Sequence, residues 1–254
     1  MERVKITQEE QGFRITLSNP KKKNAIDEKM IDEITHFFSS DRNKFSGKNF
    51  VVLEGEGDIF CSGGDLNWML EKGQSDLDTN IIDAIKLAHM YKSIWDCPIP
   101  VVLKLLGGAW GGGVGFIAVS DIVIAQKNAK IRLPEVKIGL VPAVISVFLI
   151  RKIGLSRFLD LALLAREISA EEGEKFGLVN YTVPKEKVEK ITNKIVTELI
   201  QTPSYALEST KKLSRLVVNE SIESGMKHAA EQIAQARANP ETQKKLISFL
   251  QKKK

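Results

Sequence analysis

The sequence predicts an α/β protein in which helices cover sheets, and three observations carry that prediction. Short apolar runs of strand character alternate with amphipathic helical runs through the first 155 residues. Two buried strand candidates are each followed by a glycine-rich loop that leads into a helical turn. Beyond residue 155 the pattern turns almost wholly helical. A chain of 254 residues can bury one sizeable core, or one core with a small appendage.

Each element follows in order. "VKITQEEQGFRITLSNP" reads as two short strands around a turn, ended by Asn19 and Pro20. "NAIDEKMIDEITHFFSS" spaces Ile26, Met30, Ile34 and Phe37 as one face of a helix. "NFVVLEGEG" is a buried strand, "DIFCSGGDL" a glycine loop, and "TNIIDAIKLAHMYKSIW" a second amphipathic helix. "CPIPVVLKLLG" is a strand entered through prolines. The cluster "GGAWGGGVGF" then opens a short apolar helix to about Ser120, followed by the strands "DIVIA" and "AKIRL" and by "PEVKIGLVP". In "SAEEGEKFG", Ser169 and Glu172 form a capping box and Gly177 is a stop signal. Three amphipathic helices follow at 184–200, 204–217 and 221–237. With no evident core of their own, they are expected to pack on the α/β body or on another subunit.

Composition narrows the function classes. No apolar run is long enough to span a bilayer, and "MERVKITQEEQ" does not read as a signal peptide. Cys61 and Cys97 make neither a disulfide framework nor a metal-ligand spacing, which sets a reducing cytoplasm as the expected location. His36, His89 and His228 are scattered, against both a metal site and a Ser/His triad. The net charge of +5 suits a polyanionic ligand, a nucleotide-bearing thioester or RNA, although the lysines are dispersed and "QKKK" reads as a solvated tail.

The cluster at 107–116 has six glycines in ten positions, which costs backbone entropy and needs a reason. A phosphate cradle is the first. "GVGFIA" fits a dinucleotide fingerprint with Glu135 about twenty residues on, but five residues separate Leu106 from Gly112, and "DIVIA" ends well before that acid. Close packing of a buried helix is the second, and it leaves the position at a helix start unexplained. Stabilisation of developing negative charge is the third. First-turn amides lack internal partners and carry partial positive charge, and an oxyanion needs at least two such donors. "FCSGGDL" offers a second glycine loop of the same kind.

"FCSGGDL", "GGGVGFIAVSDIVIA" and "LPEVKIGLVP", in this order and spacing, resemble the crotonase superfamily of enoyl-CoA hydratases and isomerases. The resemblance runs from "RITLSNPKKKNAID" to the helical C-terminus. It implies a spiral of strand-strand-helix units over 1–195 carrying the acyl-CoA site, and a C-terminal helical region over 196–254 that builds a homotrimer or a dimer of trimers. It places the oxyanion amides on Gly64 and Gly112 and the catalytic acid on Glu135. It makes Ser62, Gly63, Asp65 and Leu66 substrate contacts, and Lys21, Lys23 and Ala25 part of the CoA-contacting segment. The acyl chain is expected near Trp110, Val114 and Val141. No metal and no separate cofactor are implied, coenzyme A arriving as part of the substrate.

One departure decides the chemistry. The two-glutamate hydratases of this family carry an acid three residues after the oxyanion glycine, and here that position is Gly115. A single glutamate can serve hydration of a 2-enoyl-CoA or transfer of a proton between two carbons of an enoyl thioester. The motif is most similar to bacterial methylglutaconyl-CoA hydratases, which also have glycine there, so hydration is expected first and isomerisation between Δ3 and Δ2 second. Dihydroxynaphthoyl-CoA synthases place aspartate where Pro142 stands and glycine where Glu135 stands; chlorobenzoyl-CoA dehalogenases need aspartate where Ala143 stands. A reading from another class is an RNA-binding or non-catalytic protein on the same fold, which the lack of an aromatic, arginine-rich stretch disfavours.

Overall fold

Residues 2–251 are described in a computed structural model of the chain. Lys252, Lys253 and Lys254, most of the expected basic tail, lie outside the described residues. The chain opens with the hairpin β1 (Val4–Glu9) and β2 (Gly12–Leu17) and then forms α1 (Glu28–Ser39). Asp27 caps α1 by accepting from the Met30 amide at 3.0 Å, an interaction of about 1 kcal/mol. The apolar spacing anticipated for this helix buries Met30, Ile31, Ile34, Phe37 and Phe38.

β3 (Phe50–Gly55), α2 (Leu66–Gly73), α3 (Leu77–Trp95) and β4 (Val101–Leu105) follow. Next come β5 (Gly108–Trp110), α4 (Gly112–Val119), β6 (Ile122–Gln126) and β7 (Lys130–Arg132). A 3₁₀ turn at Glu135–Ile138 leads to α5 (Ala143–Ile153) and α6 (Leu155–Leu164). β8 (Glu167–Ser169), α7 (Ala170–Lys175), β9 (Tyr181–Val183) and α8 (Lys185–Ile200) complete the body. The chain closes with α9 (Ser204–Val217), α10 (Ile222–Ala238) and α11 (Pro240–Gln251).

One sheet has the order β1-β2-β3-β4-β6-β9, parallel except for the opening hairpin; a smaller one has the order β5-β7-β8. Strands covered on both faces read as continuous apolar runs. In β3, Val51 and Leu53 enter the main core with α1, α3, α4 and α5, while Phe50 and Val52 face α8 through Val188, Ile195 and Val196. Residue 195, the expected division, falls within α8. Adjacent parallel strands β3 and β4 pair Val51 with Val101, so their C-terminal ends lie side by side. Whatever loops leave those ends must meet, which is the geometry that places ligands at the carboxyl edge of a parallel sheet.

Candidate active site

The two glycine loops leave those neighbouring strand ends and are stitched together. Cys61 forms a parallel bridge with Ala109, through Cys61 N–H to the Gly108 carbonyl (3.3 Å) and Trp110 N–H to the Cys61 carbonyl (3.0 Å). A second bridge joins Ile26 and Gly64 and uses the Gly63 carbonyl and the Asp65 amide, so the Gly64 amide lies outside the pairing. Asn24 clamps the loop further by donating its side-chain amide to the carbonyls of Glu56, Ile59 and Phe60. Gly112 is the first residue of α4, where amides have no intrahelical acceptor.

The glycines allow contacts that a side chain would block. Gly63, at φ +93°, lies so close to the other loop that a methyl group there would sit 2.7 Å from the Trp110 carbonyl oxygen. A methyl on Gly112 would lie 3.7 Å from the Gly64 nitrogen, so the two candidate donors share one small region. Gly111 (φ +48°) abuts the acid: a methyl there would be 3.0 Å from Glu135 Oε1. Gly64, Gly112 and Glu135 are thus brought together by backbone approach.

Glu135 starts the 3₁₀ turn after Pro134. Its Oε2 is buried with no hydrogen-bond partner, and burial raises its pKa above the ordinary carboxylate value. An unpartnered buried carboxylate oxygen of raised pKa is suited to accept and return a proton.

The Gly115 position is closed by neighbours. A Cβ there would fall 2.6 Å from both Ile145 Cγ2 and Tyr91 Cε1. Tyr91, fully buried on α3, donates its hydroxyl to the Gly112 carbonyl at 2.6 Å and sets its ring edge-on to Phe116. Tyr91 belongs to the site although the sequence reading passed over it. Its only signal was a polar-tipped aromatic on the apolar face of a helix, and its partner lies 21 residues away.

The remaining expected contacts sort by burial. Asp65 caps α2 through the amides of Asn67 and Trp68, and Lys22 holds its carboxyl below the usual range through a 2.5 Å ion pair. Lys22 is thus engaged, whereas Lys21 and Lys23 stand exposed on the same turn, beside Ser62, whose amide donates to the Lys23 carbonyl. Ala25 and Gly63 are buried, and Leu66 is 62% exposed. Trp110 is half-buried and Val141 is 70% exposed. Val114, expected beside the acyl chain, is fully buried in the main core.

Among the described residues no cluster of three His, Cys, Asp or Glu side chains could hold a metal ion, and no helix is long and apolar enough to cross a membrane. Comparison with known proteins adds the relationship. Residues 8–254 match the family described as enoyl-CoA hydratase/isomerase. A putative enoyl-CoA hydratase of Thermus thermophilus is 27% identical over 239 residues, 94% of each chain. A probable enoyl-CoA hydratase of Rhodobacter capsulatus is 32% identical over 199 residues, 78% of this chain and 75% of its own. Among solved structures, Pseudomonas aeruginosa AtuE superposes with a TM-score of 0.94 at 28% identity, covering 99% of this chain and 97% of its own. The α/β body and the helical C-terminal region match the crotonase fold of these neighbours. The chain belongs to the enoyl-CoA hydratase/isomerase family, within the crotonase superfamily.

Proposed function

We propose that this protein reversibly adds water to a 2-enoyl-CoA thioester, of which 3-methylglutaconyl-CoA is the candidate substrate. The observation that carries the proposal is the buried, unpartnered Glu135 Oε2 beside two convergent glycine loops. The thioester carbonyl accepts from the Gly64 and Gly112 amides. Glu135 takes a proton from water as the water oxygen bonds to C3, the C2–C3 electron pair moves toward the carbonyl, and the enolate oxygen is held by both amides. Glu135 then returns the proton to C2. Lys21 and Lys23, exposed beside Ser62, suit the phosphates of coenzyme A, which enters as part of the substrate.

The closure of the Gly115 position by Ile145 and the Tyr91 ring favours a second reading. Without a second acid, the same glutamate can carry a proton between C2 and C4, converting a 3-enoyl into a 2-enoyl thioester. Mass spectrometry of a 2-enoyl-, a 3-enoyl- and a 3-methylglutaconyl-CoA incubated with the protein separates the two. Gain of one water on the conjugated substrates supports hydration. Unchanged mass, with conjugated-thioester absorbance appearing from the 3-enoyl compound, replaces it with isomerisation.

The chain is further proposed to assemble as a homotrimer or a dimer of trimers, supported by the apolar residues that α9–α11 and their links leave exposed, among them Val218, Ile222, Met226, Ile233 and Leu250. Light scattering should count three or six chains; a monomer would contradict this.

A further inference from the structure

The helix proposed to offer the Gly112 amide is met at its other end by a half-buried lysine. α5 begins soon after the Glu135 turn and lies along α4. Ile145, near its start, covers Gly115, and Lys152, in its last turn, reaches the C-terminal end of α4. There the Lys152 ammonium donates to the carbonyls of Ile117 at 2.7 Å and Ser120 at 2.8 Å. The Ile117 carbonyl is one of those a helix end leaves without internal partners, and Ser120 is the C-cap residue that follows. The Phe116 carbonyl is taken separately, by the Ser120 amide and hydroxyl.

Asp121, next to Ser120, favours this charge but is shared with other cations. Asp121 is engaged by Lys211 at 2.5 Å and Arg215 at 2.7 Å from α9, and by the Val101 amide at 2.8 Å. Behind α4 the cations Lys152, Lys211 and Arg215 share Asp121, and Asp96 adds its charge beside Arg215. Burial works against the Lys152 ammonium and lowers its pKa to about 8; Asp121 opposes that shift and Arg215 adds to it. Lys211 points its ammonium at the Ile99 carbonyl as well as at Asp121, which leaves Lys152 as the cation seated on the end of α4, at the Ile117 and Ser120 carbonyls.

We propose that Lys152 is a positioning residue of the oxyanion helix, its charge at the C-terminal end of α4 reinforcing the positive end of that helix at Gly112. The eight residues of α4 separate the two ends by about 12 Å at 1.5 Å per residue. A cation at a helix C-terminus lies along the helix dipole and polarises the intervening peptide hydrogen bonds in the same sense. It also attracts the enolate charge directly through a medium of low dielectric. The effect grows as charge moves onto the thioester oxygen, so it belongs to the enolate and not to the resting substrate.

The inference rests on the proposed thioester site, and the test separates the two. Bound acetoacetyl-CoA distributes between keto and enolate forms that differ in ultraviolet absorbance, while butyryl-CoA reports binding without enolisation. Both are titrated at pH 7, below the lowered Lys152 pKa of about 8, into the wild type, Lys152→Met, Lys152→Gln and the exposed α8 variant Lys194→Met. Lys152→Gln keeps a donor to the carbonyls if Lys152→Met folds poorly. The expected result is a roughly tenfold fall in the enolate-to-keto ratio in both Lys152 variants. Butyryl-CoA affinity should hold, and Lys194→Met should match the wild type. An unchanged ratio in the folded variants overturns the proposal, and so does an equal loss of affinity for both ligands, the mark of simple loosening. If the wild type binds neither thioester, the proposed function fails and this inference falls with it.

Discussion

At the scale of single residues, Glu135 carries a sign that can be checked. Its carboxyl has a raised pKa because burial penalises the charge, so the native state holds this proton more tightly than the unfolded chain. Stability from this group is fully present below its unfolded pKa and is lost as pH rises through the raised folded value. Glu135→Gln removes a group whose charge burial penalises and should melt no lower than the wild type in calorimetry, while kcat falls by about 10²–10⁴. Retained turnover would remove Glu135 from the mechanism. Gly115 gives the complementary case. Gly115→Glu places its Cβ against Ile145 and Tyr91 and should cost about 1–3 kcal/mol in denaturant titration, without supplying a second acid. A folded, faster variant would show that the position can open.

At the scale of elements, the close approach of the Glu135 turn to α4 depends on Gly111. An alanine there meets both an unfavourable φ of +48° and the Glu135 carboxylate, so Gly111→Ala should lose about 1–3 kcal/mol. It should also lower kcat more than it raises KM, measured by steady-state kinetics on the identified substrate. Elements with a strong period were legible in the sequence: Met30, Ile34 and Phe37 mark α1, and the apolar run 51–53 marks β3. β5, β8 and β9 were not: β5 lies inside the glycine cluster, and β8 and β9 lie in a stretch whose pattern reads as helical. α11 was passed over because Leu246, Ile247 and Leu250 are set among lysines and glutamines that read as tail. The capping box appeared by half: Ser169 accepts from the Glu172 amide, but the Glu172 carboxylate pairs with Arg166. Both glycine loops and Glu135 could be named in advance because motif order survives without geometry. Tyr91 and Lys152 could not, since each acts through a carbonyl far along the chain.

At the scale of the whole molecule, the C-terminal helices are tied to the body through Asp121, which gathers Lys211, Arg215 and the Val101 amide at the start of β6. Arg215 also lies 4.1 Å above the Trp95 ring. Asp121→Ala leaves two largely buried cations without their carboxylate and should cost about 3 kcal/mol, read as a lower urea midpoint. An unchanged midpoint would mean that α9 is held by packing alone. The central claim joins all three scales: two strand ends bring two amides to one thioester oxygen, and Glu135 moves the proton at C2. Its most direct measurement is deuterium uptake at C2 of an acyl-CoA turned over in deuterium oxide, followed by mass spectrometry for the wild type and Glu135→Gln. Uptake by the wild type that is lost in a folded Glu135→Gln is the predicted result. Equal uptake by both, or none by the wild type across the panel of thioesters, would contradict it.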